Sequence, residues 1–177
     1  MPNGEIKINP ISEGSPDSKI HLIIYESLTC GHCANFHKNV YPDLKKDFID
    51  TGLVKIEFRN FPLDLAAFNA SKIAHCRNDG KSKILHSLFE NQSEWVKGQS
   101  IEDINKNLKK FVNKIDKDLD IDACLIDKDI EDYILNDRIK GVKNYEVDST
   151  PTLIINDKKF DNPQNYKKLK KTLEKMI

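Results

Sequence analysis

The sequence predicts an α/β fold: a strand-helix-strand unit, a long inserted run of helices, and a closing hairpin followed by one more helix. Three observations carry this. Residues 19–61 hold two apolar, strand-like runs separated by a stretch of helical periodicity. Residues 64–145 repeat apolar side chains at helical spacing with no strand pattern among them. After Pro151 a strand pattern returns, turns on itself and ends in a helix.

Taken in order, residues 1–18 are polar and carry Pro2, Pro10, Pro16, Gly4 and Gly14, so they read as a lead-in with at most a short edge strand around residues 5–11. Residues 19–25 form the first strand. Residues 30–50 form the helix after it, with Phe36, Val40, Leu44 and Phe48 every fourth position, and Thr51-Gly52 ends it. Residues 53–61 alternate, with Val54, Ile56, Phe58 and Asn60 on one face, and Pro62 closes that strand. Two such strands joined by a helix run parallel through a right-handed crossover.

The inserted helices cover residues 65–76, then Ile84 to Val96, then Ile101 to Ile115 behind a Ser100-x-x-Asp103 capping box, and last residues 127–141. They read as a cap beside the strands. Thr152-Leu153-Ile154-Ile155 is a strand, Asn156-Asp157-Lys158 a turn, and Lys159-Phe160 its antiparallel partner. Asn162-Pro163 offers an N-cap and first-turn proline for a final helix with Tyr166, Leu169, Leu173 and Met176 inward. Its lysines form a solvated face. The expected organisation is therefore a lead-in (1–18), one α/β body from 19–63 and 146–177, and a helical sub-domain at 64–145.

The 177 residues can bury one core of ordinary size. Lys and Arg total 28 and so do Asp and Glu, leaving no net field to draw in nucleic acid or an anionic membrane. No apolar run is long enough to span a bilayer, and Met1-Pro-Asn-Gly-Glu lacks the layout of a signal peptide. The chain is then either intracellular or a mature form whose signal has been removed.

The chemistry concentrates at Cys30-Gly31-His32-Cys33, where an apolar strand gives way to a helix. Free backbone N–H groups and the helix dipole favour a thiolate at Cys30, and Cys33 lies one turn further along the same face. Such a pair can close and reopen a disulfide. His32 adds positive potential beside Cys30. The spacing of Cys30, Cys33 and His37 is also that of half a zinc site, but no second ligand pair follows, so no metal is expected. His21, His37, His75 and His86 read as structural or surface residues.

Four segments carry a resemblance. Ser27-Leu28-Thr29-Cys30-Gly31-His32-Cys33, Phe58-Arg59-Asn60-Phe61-Pro62-Leu63, Phe89-Glu90-Asn91-Gln92-x-x-Trp95 and Val147-x-Ser149-Thr150-Pro151-Thr152 occur in the order seen in DsbA-like proteins. Over nearly its whole length the chain resembles this branch of the thioredoxin superfamily. The resemblance implies a thioredoxin fold with an inserted helical sub-domain, and a monomeric, periplasmic or otherwise exported enzyme needing no cofactor. It also implies that the enzyme hands a disulfide to reduced, unfolded proteins and is reoxidised by a membrane partner of the DsbB kind.

By the same resemblance Thr150-Pro151 is a cis peptide lying against the disulfide, with the Thr150 backbone free to pair with a substrate chain. Relatives often place a buried acid where this chain has Ile24. Glu26, two residues on, shares that strand face and is the candidate proton acceptor for Cys33. Gly31 stands where many relatives carry proline. Cys76 and Cys124 are either a structural disulfide, as in some relatives, or two buried thiols. A reductase or isomerase using the same cysteines is the nearest alternative function, and a zinc- or peptide-binding module without exchange activity is the alternative of another class.

Overall fold

The structure, a computed structural model, describes residues 7–177. The expectations for Met1 to Glu5, and for the first part of an edge strand at residues 5–11, lie outside the described residues. Strands β1 (Ile11–Glu13), β2 (Ile20–Glu26), β3 (Val54–Asn60), β4 (Thr152–Ile155) and β5 (Lys158–Phe160) form one sheet in the order β1-β3-β2-β4-β5. β2 and β3 are parallel, with Ile20 opposite Val54 and Glu26 opposite Asn60, and every other pairing is antiparallel. The edge strand thus begins where the sequence placed its end. Ile11 is buried, and its burial in the core fixes which residues pair with β3.

The helix expected over residues 30–50 is three segments: α1 (Gly31–Asn39), α2 (Tyr41–Leu44) and a π-helical turn at Lys45–Ile49. Pro42 is the reason. It has no N–H to return to the carbonyl four residues earlier, so the ladder breaks near Val40 and restarts with proline in the first turn. Phe36, Val40, Leu44 and Phe48 still point inward and are all buried.

The insertion holds α3 (Leu65–His75), α4 (Lys83–Glu90), α5 (Gln92–Trp95), α6 (Ile101–Ile115), α7 (Ile121–Leu125) and α8 (Lys128–Tyr145). Ser100 caps α6 through the Asp103 N–H, as the capping box predicts, and Asp127 caps α8 through the Ile130 N–H. The short α7, which has its own cap at Asp120, was not expected. Buried residues of α3, α4, α6 and α7 join the same cluster as Leu22, Ile24, Phe36 and Ile56, so these helices and one sheet face share a core. On the opposite face α8 packs close. An added Cβ on Gly141 would stand 2.8 Å from the Tyr25 ring, so only glycine allows this approach.

Asn156 and Asp157 both adopt positive φ in a two-residue hairpin loop between β4 and β5. The final helix, α9 (Tyr166–Glu174), starts later than Asn162-Pro163 suggested. Asn165 caps it, accepting from the Lys168 N–H. Leu169 and Leu173 are buried, but Met176 lies past the helix end and is exposed. No described helix is long and apolar enough to cross a membrane.

Candidate active site

Cys30 stands at the N-cap of α1 with extended backbone angles, directly after β2 and the loop Ser27-Leu28-Thr29. Three neighbours hold that loop. Ser27 Oγ accepts from the Leu63 N–H at 3.2 Å, Thr29 Oγ1 donates to Asp64 at 2.7 Å, and Asp64 in turn caps α3. From the insertion, Gln92 Nε2 donates to the carbonyls of Leu28 and Cys30 at 2.8 and 3.0 Å. The cysteine therefore sits on a rigid junction of sheet and helices.

Cys30 and Cys33 are both free thiols here; Cys30 is half-buried and Cys33 has no exposed surface. The Cys33 N–H points at Cys30 Sγ, 3.4 Å away. Hydrogen bonding from the Cys33 thiol, opposed by partial burial and helped by the N–H groups of Cys33 and His32, brings the Cys30 pKa down to about 5. For Cys33 the balance is reversed. Burial, its bond to Cys30 and the nearby Glu26 charge all push its thiol far up. One sulfur is set to ionise and its neighbour to keep its proton.

The Thr150–Pro151 peptide is cis, and the Thr150 carbonyl lies 3.6 Å from Cys30 Sγ. His32 is exposed, and Gln164 Nε2 donates to its carbonyl at 2.8 Å. Glu26 is buried, and its Oε2 meets His37 Nε2 at 2.5 Å. His37 Nδ1 meets His86 Nδ1 at 3.0 Å. Both ring nitrogens of His37 are thus engaged, which removes it as a third zinc ligand beside the cysteines.

Far from the motif, Cys76 and Cys124 are joined by a disulfide with Cα atoms 5.4 Å apart, tying the end of α3 to α7. Sequence reasoning missed Glu13, named Gln92 only within a segment that carries the resemblance, and took His37 and His86 alike as structural or surface residues. A signal for His37 was present: it falls one turn after Cys33 on the same inward face as Phe36, and a polar group there requires a buried partner.

A family model described as Thioredoxin matches residues 7–175. The chain is 29% identical over 184 residues to the disulfide bond formation protein D of Bacillus subtilis, covering 97% of this chain and 78% of that protein. It superposes on α-DsbA1 of Wolbachia pipientis with a TM-score of 0.82 and 27% identity, over 99% of this chain and 91% of that one. The oxidised BdbD of Bacillus subtilis, 23% identical over 94% of this chain and 91% of its own, shares the fold with a TM-score of 0.80. With the two unequal thiols at a helix start, these likenesses lead to one conclusion: the chain belongs to the thioredoxin family, among its DsbA-like protein disulfide oxidoreductases.

Proposed function

We propose that the protein donates its Cys30–Cys33 disulfide to reduced, unfolded proteins outside the cytoplasm, through a mixed disulfide at Cys30. The observation that carries this reading is the inequality of the two sulfurs. A substrate thiolate attacks Cys30 Sγ, the bond to Cys33 breaks, and Cys33 leaves as a thiolate that takes up a proton. A second substrate thiolate then attacks the substrate sulfur of the mixed disulfide and expels Cys30. The substrate is oxidised by two electrons and the enzyme reduced by two.

Stabilising the expelled thiolate favours this direction. With the Cys30 pKa at about 5, ionisation at pH 7 stabilises the reduced pair by at most about 3 kcal/mol, since solvent screens a half-buried sulfur. That corresponds to about 60 mV in the oxidising direction for a two-electron couple. His32 adds positive potential beside the sulfur. Glu26 acts as proton acceptor and donor for Cys33. The Thr150 backbone and the groove lined by Gly31, Ala34, Asn35 and Phe89 receive an extended chain, a mode of recognition that tolerates many sequences. The enzyme works as a monomer and is returned to its oxidised form by a membrane partner of the DsbB kind.

An equilibrium titration in glutathione buffers, with thiolate absorbance followed in the same samples, tests this reading. A disulfide donor has a potential of about −120 to −180 mV and a strongly lowered Cys30 pKa. A potential near about −270 mV would make the protein a reductant and overturn the direction proposed.

A further inference from the structure

The polar contacts that begin at Glu26 continue past the active site. Glu26 Oε2 meets His37 Nε2 at 2.5 Å, His37 Nδ1 meets His86 Nδ1 at 3.0 Å, and His86 Nε2 meets Glu13 Oε1 at 2.7 Å. Four side chains from β2, α1, α4 and β1 stand in single file, joined by three hydrogen bonds. The inner end is buried: Glu26 is 5% exposed and His37, which also borders the groove beside Cys30, is 4% exposed. The His37 ring stacks on Phe89 with centroids 4.1 Å apart, and Phe36 and Phe58 stand within 6 Å on other sides. The outer end is open. Glu13 and His86 line a surface cleft with Tyr41, Lys45 and Ser82, and that cleft shares no residue with the groove beside Cys30.

Counting hydrogens shows what this file can do. Each link needs one hydrogen between its two heavy atoms. Burial alone would raise Glu13, but hydrogen bonds from His86, Ser82 and Tyr41 outweigh it and hold that carboxyl down to about 2. Glu13 is therefore an acceptor, and the hydrogen of the outer link sits on His86 Nε2. Two hydrogens remain for the two inner links, and of their four arrangements three leave every ring with at least one hydrogen, the fourth making His37 an imidazolate anion. In those three the hydrogens sit on Glu26 Oε2 and His37 Nδ1, on both nitrogens of His37, or on His37 Nε2 and His86 Nδ1. Successive arrangements differ by one hop along one hydrogen bond, and all hold the same number of hydrogens. Together they move one positive charge between the buried acid and the ring beside the cleft. The remaining oxygen of the acid, Glu26 Oε1, is buried with no hydrogen-bond partner, and the carboxylate is close enough for its charge to help push the Cys33 thiol up.

We propose that Glu26, His37, His86 and Glu13 form a proton relay that exchanges the Cys33 proton with water in the cleft between β1 and α4. The relay rests on the exchange chemistry of Cys30 and Cys33. When a substrate thiolate opens the disulfide, the Cys33 sulfur leaves with the bonding electron pair and takes a proton from Glu26. The file passes a hydrogen inward, the imidazoles reset by tautomer exchange, and one proton enters from the cleft. During reoxidation the Cys33 thiol returns that proton and the file runs outward. The substrate can thus cover the Cys30 face throughout, because the proton does not pass through it. His37 and His86 are positioning residues, since neither touches the reacting sulfurs. Other titratable or charged groups about the file are Cys33 near its inner end, and Tyr41, Lys45, Lys55, Glu57, Asp79, Lys81 and Lys83 around its outer end.

The test is the rate at which dithiothreitol opens the oxidised protein, read by rapid acid quench and alkylation across pH 6 to 8. His86→Ala removes the outer ring and leaves space that a free imidazole can enter. The rate should fall about tenfold or more, in line with the usual contribution of a positioned proton donor, and added imidazole should restore it with its own titration curve. A His86→Ala rate equal to wild type overturns the relay, and so does a slow rate that imidazole fails to restore. Should His86→Ala not fold, His86→Gln, which can keep hydrogen bonds in the file but cannot carry a proton through a ring, decides. Its opening rate should fall about tenfold or more, and a rate equal to wild type overturns the relay. A wild-type protein inert to dithiothreitol would instead remove the exchange chemistry beneath the relay, and the relay with it.

Discussion

The two cysteine pairs sit at opposite ends of their helices. Cys30 is the N-cap of α1, whereas Cys76 is the C-cap of α3. At the start of α1 free N–H groups face the sulfur and favour a thiolate; at the end of α3 the free groups are carbonyls, which disfavour one. Each pair has one partly buried sulfur, Cys30 or Cys76, and one fully buried partner, Cys33 or Cys124, so burial alone does not separate them. Exchange needs an accessible sulfur and a stable leaving thiolate. Cys30 is accessible and leaves the mixed disulfide as a stable thiolate, whereas Cys76, though equally only partly buried, sits where helix carbonyls disfavour a thiolate. The environment of each sulfur, rather than disulfide chemistry itself, separates a reagent from a brace.

The sharpest way to break this contrast is to remove sulfurs one at a time. Cys30→Ser should lose exchange by at least about a thousandfold, because no other thiol can be attacked. Cys33→Ser should instead accumulate mixed disulfides visible by intact mass. Wild-type exchange in both variants would end the assignment. The second pair should answer in stability alone. Replacing Cys76 and Cys124 by alanine opens a loop closed across 48 residues, a loss of about 4 kcal/mol on the chain-entropy account, or roughly a 10 °C fall in Tm. Exchange by the folded variant should stay within about twofold of wild type. A collapse of exchange in a protein still folded would mean that the brace tunes the reagent.

Most of this contrast was legible in the chain, for local reasons. The Cys-x-x-Cys spacing and the strand-to-helix change at residues 26–33 specify the reactive pair, since capping geometry depends on neighbours in sequence. The alternation from Val54 to Asn60 likewise appeared as a half-buried strand. What escaped depends on tertiary contacts. Glu13 and His86 are 73 residues apart and meet only because β1 pairs with β3 and α4 packs on α1. The break at Val40 was foreseeable from Pro42. The late start of α9 was less so, because Asn162 and Asn165 are equally good caps by residue type, and it is Asn165 that accepts from the Lys168 N–H.

A smaller effect sharpens the electrostatic side of the comparison. The Cys30 pKa of about 5 lies below that of an unfolded cysteine, about 8.5. The resulting stabilisation of the reduced protein is complete above about pH 8.5 and declines as pH falls, vanishing through pH 5. Denaturant midpoints of reduced wild type and Cys30→Ser should therefore agree at pH 4 and separate by up to about 3 kcal/mol at pH 7. Curves that stay parallel across this range would show that Cys30 is not ionised at neutral pH.

The smallest expected effect separates the helix end from the residue between the cysteines. Gly31 is the first residue of α1, an added Cβ there meets nothing within 4 Å, and Cys30 before it is already extended. Proline fits such a position, and the residue preceding it needs an extended backbone. Gly31→Pro should stabilise the protein by about 0.4–1 kcal/mol, mainly by restricting the unfolded chain. The backbone donors acting on the Cys30 sulfur are the N–H groups of Cys33 and His32, which proline at residue 31 leaves in place. The Cys30 pKa should therefore stay near 5. A rise of a full unit would show that the Gly31 N–H, and not the two donors further along the turn, holds the thiolate.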